Sequence, residues 1–119
     1  GGDIFLKTIN NSIVSIFAGE SPLSYHTKLL IKSSKTPIGI CTSSATVGPS
    51  LSFGIADAVC VISHSPTLAD AAASAIGNRV KKKDDINRAL EFGKSLSGVL
   101  GLIIIVGDKM GVTGDVEFI

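Results

Sequence analysis

The sequence predicts an α+β fold in which an antiparallel sheet is backed by a pair of consecutive helices. Three observations carry this expectation. Strand-like segments come first, two helical segments follow with no strand between them, and strand-like segments close the chain. Residues 58–62 form a continuous apolar run of strand length, and residues 110–118 alternate apolar with small or polar side chains. Segregated elements favour α+β, whereas a doubly wound parallel sheet needs strands and helices in alternation.

Taken in order, residues 4–8 and 13–18 read as the first two strands. Asn10 and Asn11 supply turn residues between them, because Asn tolerates left-handed backbone. Residues 19–27, polar and containing Pro22, read as a loop. Residues 28–32 make a short strand, residues 33–37 turn the chain, and residues 38–42 make a strand that enters a long loop over 43–54. Residues 58–62 (AVCVI) suit a strand buried on both faces. Ser65 is placed to cap a helix, and Pro66 suits its first position, where the missing N–H has no helical partner to lose. Leu68, Ala72, Ala75, Ile76 and Val80 recur at helical spacing and extend this helix to about Lys82. A second helix begins at Asp84 or Asp85, whose carboxylates favour the positive helix end. Ile86, Ala89, Leu90, Gly93 and Leu96 form its apolar stripe, and Gly98 is a suitable left-handed stop. Residues 99–106 are apolar, residues 107–109 turn, and residues 110–119 carry the period-two pattern of a half-exposed strand.

Composition narrows the function classes. The 119 residues suit one domain, 1–119, and 45% of them are hydrophobic with only 5% aromatic, so Ile, Val, Leu and Ala must build the core. Eleven basic residues face ten acidic ones. That balance argues against nucleic acid as a partner, since phosphate-backbone binding needs a basic stripe. Lys81 to Lys83, followed at once by Asp84 and Asp85, read as a solvated joint between helices. The longest apolar run falls far short of the ~20 residues that span a bilayer, so no membrane partner is expected. Cys41 and Cys60 have no CxxC pairing, which fits a reduced, cytoplasmic chain. The chain opens on Gly1-Gly2-Asp3 without an initiator Met, so a preceding segment is expected.

Two segments could carry chemistry. In LADAAASAIGNRV, residues 68–80, Asp70 and Ser74 stand four apart and share one helix face. A carboxylate and a hydroxyl are hard oxygen ligands suited to Mg²⁺, with water, a phosphate or another segment completing the shell. The plainer alternative makes Asp70 a complement to the helix end and Ser74 a packing residue. The loop CTSSATVGPSLSFG, residues 41–54, offers the hydroxyls of Thr42, Ser43, Ser44, Thr46, Ser50 and Ser52, with backbone N–H groups near Gly48 and Gly54. Such a loop can wrap a phosphate or simply join two strands. It holds neither GK[ST] nor GxGxxG. Cys41, where strand meets loop, is a reactive thiol or a small buried hydrophobe. Cys60 reads as packing, His26 and His64 as surface or capping residues, and Asp57 as a loop-orienting or strand-starting residue. The absence of GxSxG leaves a hydrolase triad without support.

Three stretches together carry a resemblance. GGDIFLKT at the start, TPIGICTSSATVGPSLSFGIADAVCVIS, and LADAAASAIGNRV resemble, in order and spacing, segments of the ApbE-like superfamily, the relatives of FAD:protein FMN transferase. The likeness is to an uncharacterised prokaryotic and archaeal branch, and to the C-terminal half only. It implies a T-fold-like unit of order β-β-(β)-β-α-α-β-β. It further implies binding of flavin adenine dinucleotide and Mg²⁺-dependent transfer of its flavin mononucleotide part to a Thr or Ser of a target protein. By that pattern Asp70 is the metal carboxylate and Ser74 the accompanying hydroxyl, while Gly1, Gly2 and Asp3 with Thr42, Ser43 and Ser44 line the flavin pocket. The branch is also associated with sulfur assimilation and homocysteine formation, which gives Cys41 a sulfur-handling role as an alternative. A third alternative is a non-catalytic assembly module. Loss of a first half would leave a sheet edge at residues 4–8, so the expected partner is that missing half or a second copy of the chain.

Overall fold

Every position of two adjacent strands is buried, and this follows from where they sit. The computed structural model describes residues 2–45 and 54–119. Its main sheet contains β1 (Gly2–Leu6), β4 (Ile38–Ser43), β5 (Ala58–Ser63), β6 (Gly101–Val106) and β7 (Lys109–Gly114), in the spatial order β1-β4-β5-β6-β7. All four pairings are antiparallel. A separate two-stranded sheet pairs β2 (Ser12–Ser15) with β3 (Lys28–Ile31). The helices α1 (Pro66–Gly77) and α2 (Ile86–Ser95) cover one face of the main sheet, and the β2–β3 hairpin covers the other.

Two apolar clusters result. On the helix side, Val59, Val61, Leu102 and Ile104 meet Ala69, Ala73 and Ile76 of α1 and Ala89 of α2. On the hairpin side, Ile40, Cys60, Ile103 and Ile105 meet Ile16 and Leu29. β5 and β6 lie between two cores, so neither face can be polar.

The α+β class, the antiparallel sheet and the adjacent helix pair agree with expectation. Several details differ. Five strands precede the helices, one more than the order β-β-(β)-β allows. The first two strands are neighbours in sequence but belong to different sheets, β1 pairing with β4 and β2 with β3. The expected helix over 66–82 ends at Gly77. Val80 nevertheless lies in the helix-side core, because a turn (Val80 N–H to the Gly77 carbonyl, 3.1 Å) folds it back under the sheet. The last strand stops at Gly114, after which the chain crosses to the hairpin, where Leu30 donates to the Glu117 carbonyl at 2.9 Å. In β7 the apolar Met110 and Val112 are among the exposed hydrophobics, while Gly111 faces α2. A Cβ on Gly111 would lie 2.4 Å from an Ile86 methyl, so the small residue lets the helix approach. Among the described residues, no helix is long and apolar enough to cross a membrane.

Candidate functional site

Strand alternation sorts the predicted site residues onto two faces. In the β1–β4 register Asp3 lies opposite Cys41, and Cys41 belongs to the helix-side core. α1 runs over this edge of the sheet, its start pressed onto β4 so closely that a Cβ on Gly39 would sit 2.7 Å from the Pro66 Cα. That approach brings Asp70, in the first turns of α1, over the same spot. The ligand atoms of Asp3, Cys41 and Asp70 all lie within 4.8 Å of one another. The two aspartates are exposed and the cysteine is buried, 1% accessible. One buried thiol therefore sits beneath two open carboxylates.

This setting governs the thiol. Burial is the main influence, followed by its hydrogen bond to Asp3 and then the charges of Asp3 and Asp70; together they push the Cys41 pKa up to about 12. Its Sγ also lies 3.5 Å from the Pro66 carbonyl. Cys41 is thus a protonated hydrogen-bond donor at neutral pH, not a poised nucleophile. Cys60, on the opposite face, is pushed up to about 11 by burial, against a lowering hydrogen bond with Thr42. Both cysteines are free, and the sheet separates their side chains.

Among the described residues of the expected flavin-pocket set, Thr42 and Ser43 point to opposite faces of the sheet. The Thr42 hydroxyl bonds Cys60 on the hairpin side, because successive residues of a strand point to opposite faces. Ser43, paired with Val59, shares the helix side with Cys41. Ser44 is buried just beyond β4. Gly2 pairs with Thr42 in the β1–β4 ladder. Gly1 lies outside the described residues, as do Thr46, Gly48, Ser50 and Ser52 of the loop. Ser74 is exposed, one helical turn beyond Asp70. Asp70 of the expected metal-ligand pair thus has Asp3 and Cys41 beside it. All three residues stand out in the sequence but in separate roles, since only the β1–β4 register joins Asp3 to Cys41.

Among the remaining candidates, the two aspartates have structural roles. Asp57 accepts the Gly107 N–H at 2.7 Å and so fixes the β6–β7 turn. Asp85, 7% exposed, accepts the Lys81 N–H at 2.9 Å and ties the joint between the helices. His64 is exposed, with Nδ1 3.1 Å from the Pro37 carbonyl, and His26 is exposed. A cavity of about 370 Å³ lies on the hairpin side of the sheet, away from the cluster; its lining includes His64 but none of Asp3, Cys41 and Asp70.

Comparison with known proteins corrects the resemblance. A family model described as "AbpE bacteria" matches residues 1–112. The chain is 48% identical over 114 residues to a UPF0280 protein of Methanocella arvoryzae, a match covering 96% of this chain and 46% of that relative. It is 47% identical over 115 residues to a UPF0280 protein of Methanoculleus marisnigri, covering 97% and 46%. It is 41% identical over 121 residues to UPF0280 protein MJ1526 of Methanocaldococcus jannaschii, covering 98% and 50%. The chain spans about half the length of the curated relatives it matches. None of these names is that of a flavin transferase. The assignment to the C-terminal half of an ApbE-like flavin-transferase relative is therefore set aside, replaced by a different family model that matches nearly the whole chain. The chain belongs to the AbpE bacteria family.

Proposed function

We propose that the chain supplies a hard-cation site, with Asp3 and Asp70 as the carboxylate ligands, at the mouth of a site for a phosphorylated ligand. The observation that carries this reading is the convergence of the Asp3, Cys41 and Asp70 ligand atoms within 4.8 Å. Two exposed carboxylates held so close repel each other, and a cation between them relieves that repulsion. Oxygen ligands favour Mg²⁺, and a thiol kept protonated favours it further, because a thiophilic metal must first displace the proton. Mg²⁺ with two protein carboxylates keeps positions for water and for phosphate oxygens, whose charge it neutralises. Ser43, one side-chain repeat along β4 and on the same face as Cys41, adds a hydroxyl near that position. Flavin adenine dinucleotide, a pyrophosphate nucleotide, is a suitable first ligand to test.

A sulfur-handling role has little support from the same geometry. Cys41 is buried, hydrogen-bonded and faced by two acids, the reverse of the electropositive, accessible setting that makes thiolates.

The test is thermal unfolding with Mg²⁺ alone, with flavin adenine dinucleotide alone and with both. A ligand at 100 times its Kd stabilises by about 2.7 kcal/mol, a plain rise in Tm. Mg²⁺ raises Tm of the parent chain and does not raise that of Asp3→Asn or Asp70→Asn. It also speeds alkylation of Cys41, because a cation beside Asp3 and Asp70 offsets the charges that hold the proton on the thiol. Equal shifts in parent and variants, with no change in alkylation, would refute the cation site. A Mg²⁺ response without any nucleotide response would keep the cation and remove the nucleotide.

A further inference from the structure

The hairpin-side cavity, about 370 Å³, is of the size that encloses small molecules and has no part in the site above. It lies where β3 with the turn after it, the start of β4, the end of β5, the approach to β6, and the C-terminal stretch that crosses from β7 to the hairpin all meet. Its floor is aliphatic, built by Leu29, Ile31, Ile38, Ile62 and Leu100. Its rim is charged but balanced. Lys32 pairs with Glu117 at 3.4 Å, and Lys35 pairs with Asp115 at shorter range. Each of these four side chains is about half exposed.

The sign pattern selects the ligand. A simple anion attracted by the two lysines meets two carboxylates beside them, and a simple cation meets the reverse. A molecule that carries both charges on one carbon, with an aliphatic group for the floor, satisfies the whole rim. The existing ion pairs need not break. An ammonium has three donors and a carboxylate about four acceptor sites, so each paired group keeps spare capacity. The Lys32–Glu117 separation is longer than the ~2.7–2.9 Å of a tight charge-assisted hydrogen bond, so neither group is held tightly by the other. His64 also lines the cavity. Its Nδ1 faces the Pro37 carbonyl, which can only accept, so neutral His64 keeps Nε2 as an acceptor.

We propose that this cavity binds a free α-amino acid with an aliphatic side chain. The carboxylate lies toward Lys32 and Lys35, the ammonium toward Asp115 and Glu117, and the side chain on the Leu29–Ile62 floor. Calorimetric titration of the full chain with leucine tests it, alongside N-acetyl-leucine, which lacks the ammonium charge, and leucinamide, which lacks the carboxylate. Leucine binds, and both blocked analogues bind at least about tenfold more weakly. Glu117→Gln and Lys35→Gln each weaken leucine by about the same factor. These positions are exposed, so thermal unfolding of the two variants matches the parent and separates lost binding from lost folding. The proposal fails if leucine gives no heat into the millimolar range. It fails equally if the blocked analogues match leucine, or if both variants bind leucine like the parent. Asp3→Asn leaves leucine binding unchanged, which keeps this result independent of the cation site.

Discussion

Cys41 shows how much one residue's behaviour depends on partners distant in sequence. From the chain alone it is either a reactive thiol or a small core residue, and nothing within several positions decides. The register that sets Asp3 opposite it, and the helix that brings Asp70 over it, do decide. A consequence for stability follows. The folded state holds the Cys41 proton up to about pH 12 and the Cys60 proton up to about pH 11, against an ordinary value of 9.0 for each. Between the ordinary and the raised values, the folded protein keeps protons that the unfolded chain has lost. Stability is therefore fully present below about pH 9 and declines as pH rises through the window up to about 11 to 12. Urea midpoints measured from neutral pH upward will fall across that range. Cys41→Ser, compared with the parent, will lose roughly half the slope below pH 11, where each cysteine contributes one proton. A slope identical in parent and variant would mean that Cys41 titrates at its ordinary value.

At the level of elements, local chemistry was readable and long-range placement was not. The start of α1 is written in two residues: Ser65 accepts the Leu68 N–H at 3.1 Å, and Pro66 occupies the first turn. Ser65→Ala will cost about 1 kcal/mol, the usual worth of an N-cap, and lower Tm without changing the far-ultraviolet circular dichroism at low temperature. An unchanged Tm would show that packing of Pro66 on Gly39 holds the helix start by itself. The end of α1 is not legible in the sequence because Val80 is apolar at helical spacing yet reaches the core through a turn. Apolar periodicity reports burial, and burial outlasts the helix. The same limit explains β1 and β2. Asn10 and Asn11 do mark a bend, but turn residues cannot say that the flanking strands join separate sheets. β7 has the expected alternation, and only Gly111 discloses which face meets α2. The candidate site followed the same rule: Asp70 stood out locally, while its neighbours Asp3 and Cys41 became its neighbours through the β1–β4 ladder.

For the whole molecule, layering and edges matter most. Among the described residues, helices close one face of the main sheet and the hairpin closes the other, which leaves its two edge strands, β1 and β7. β7 is short of apolar cover on one face, but the chain beyond it turns back onto the hairpin. β1 is the other edge, and it carries Ile4 at 40% and Phe5 at 59% exposure. An edge strand with unpaired backbone groups and exposed apolar side chains is a template for another strand. Strand addition there would also run beside Asp3, joining assembly to the proposed cation site. We therefore expect two chains to pair through β1 in the absence of any other covering segment. Sedimentation equilibrium will give about twice the 12.2 kDa of one chain at micromolar concentration. Ile4→Lys, which sets a charge on the edge strand, will return it to a single chain. If Ile4→Lys remains dimeric, the contact lies elsewhere, on the exposed Phe17–Tyr25 stack or the outer face of the hairpin. If the parent sediments as a monomer at all concentrations, β1 is protected by its own twist and short length, and the apolar side chains there have no partner among copies of this chain.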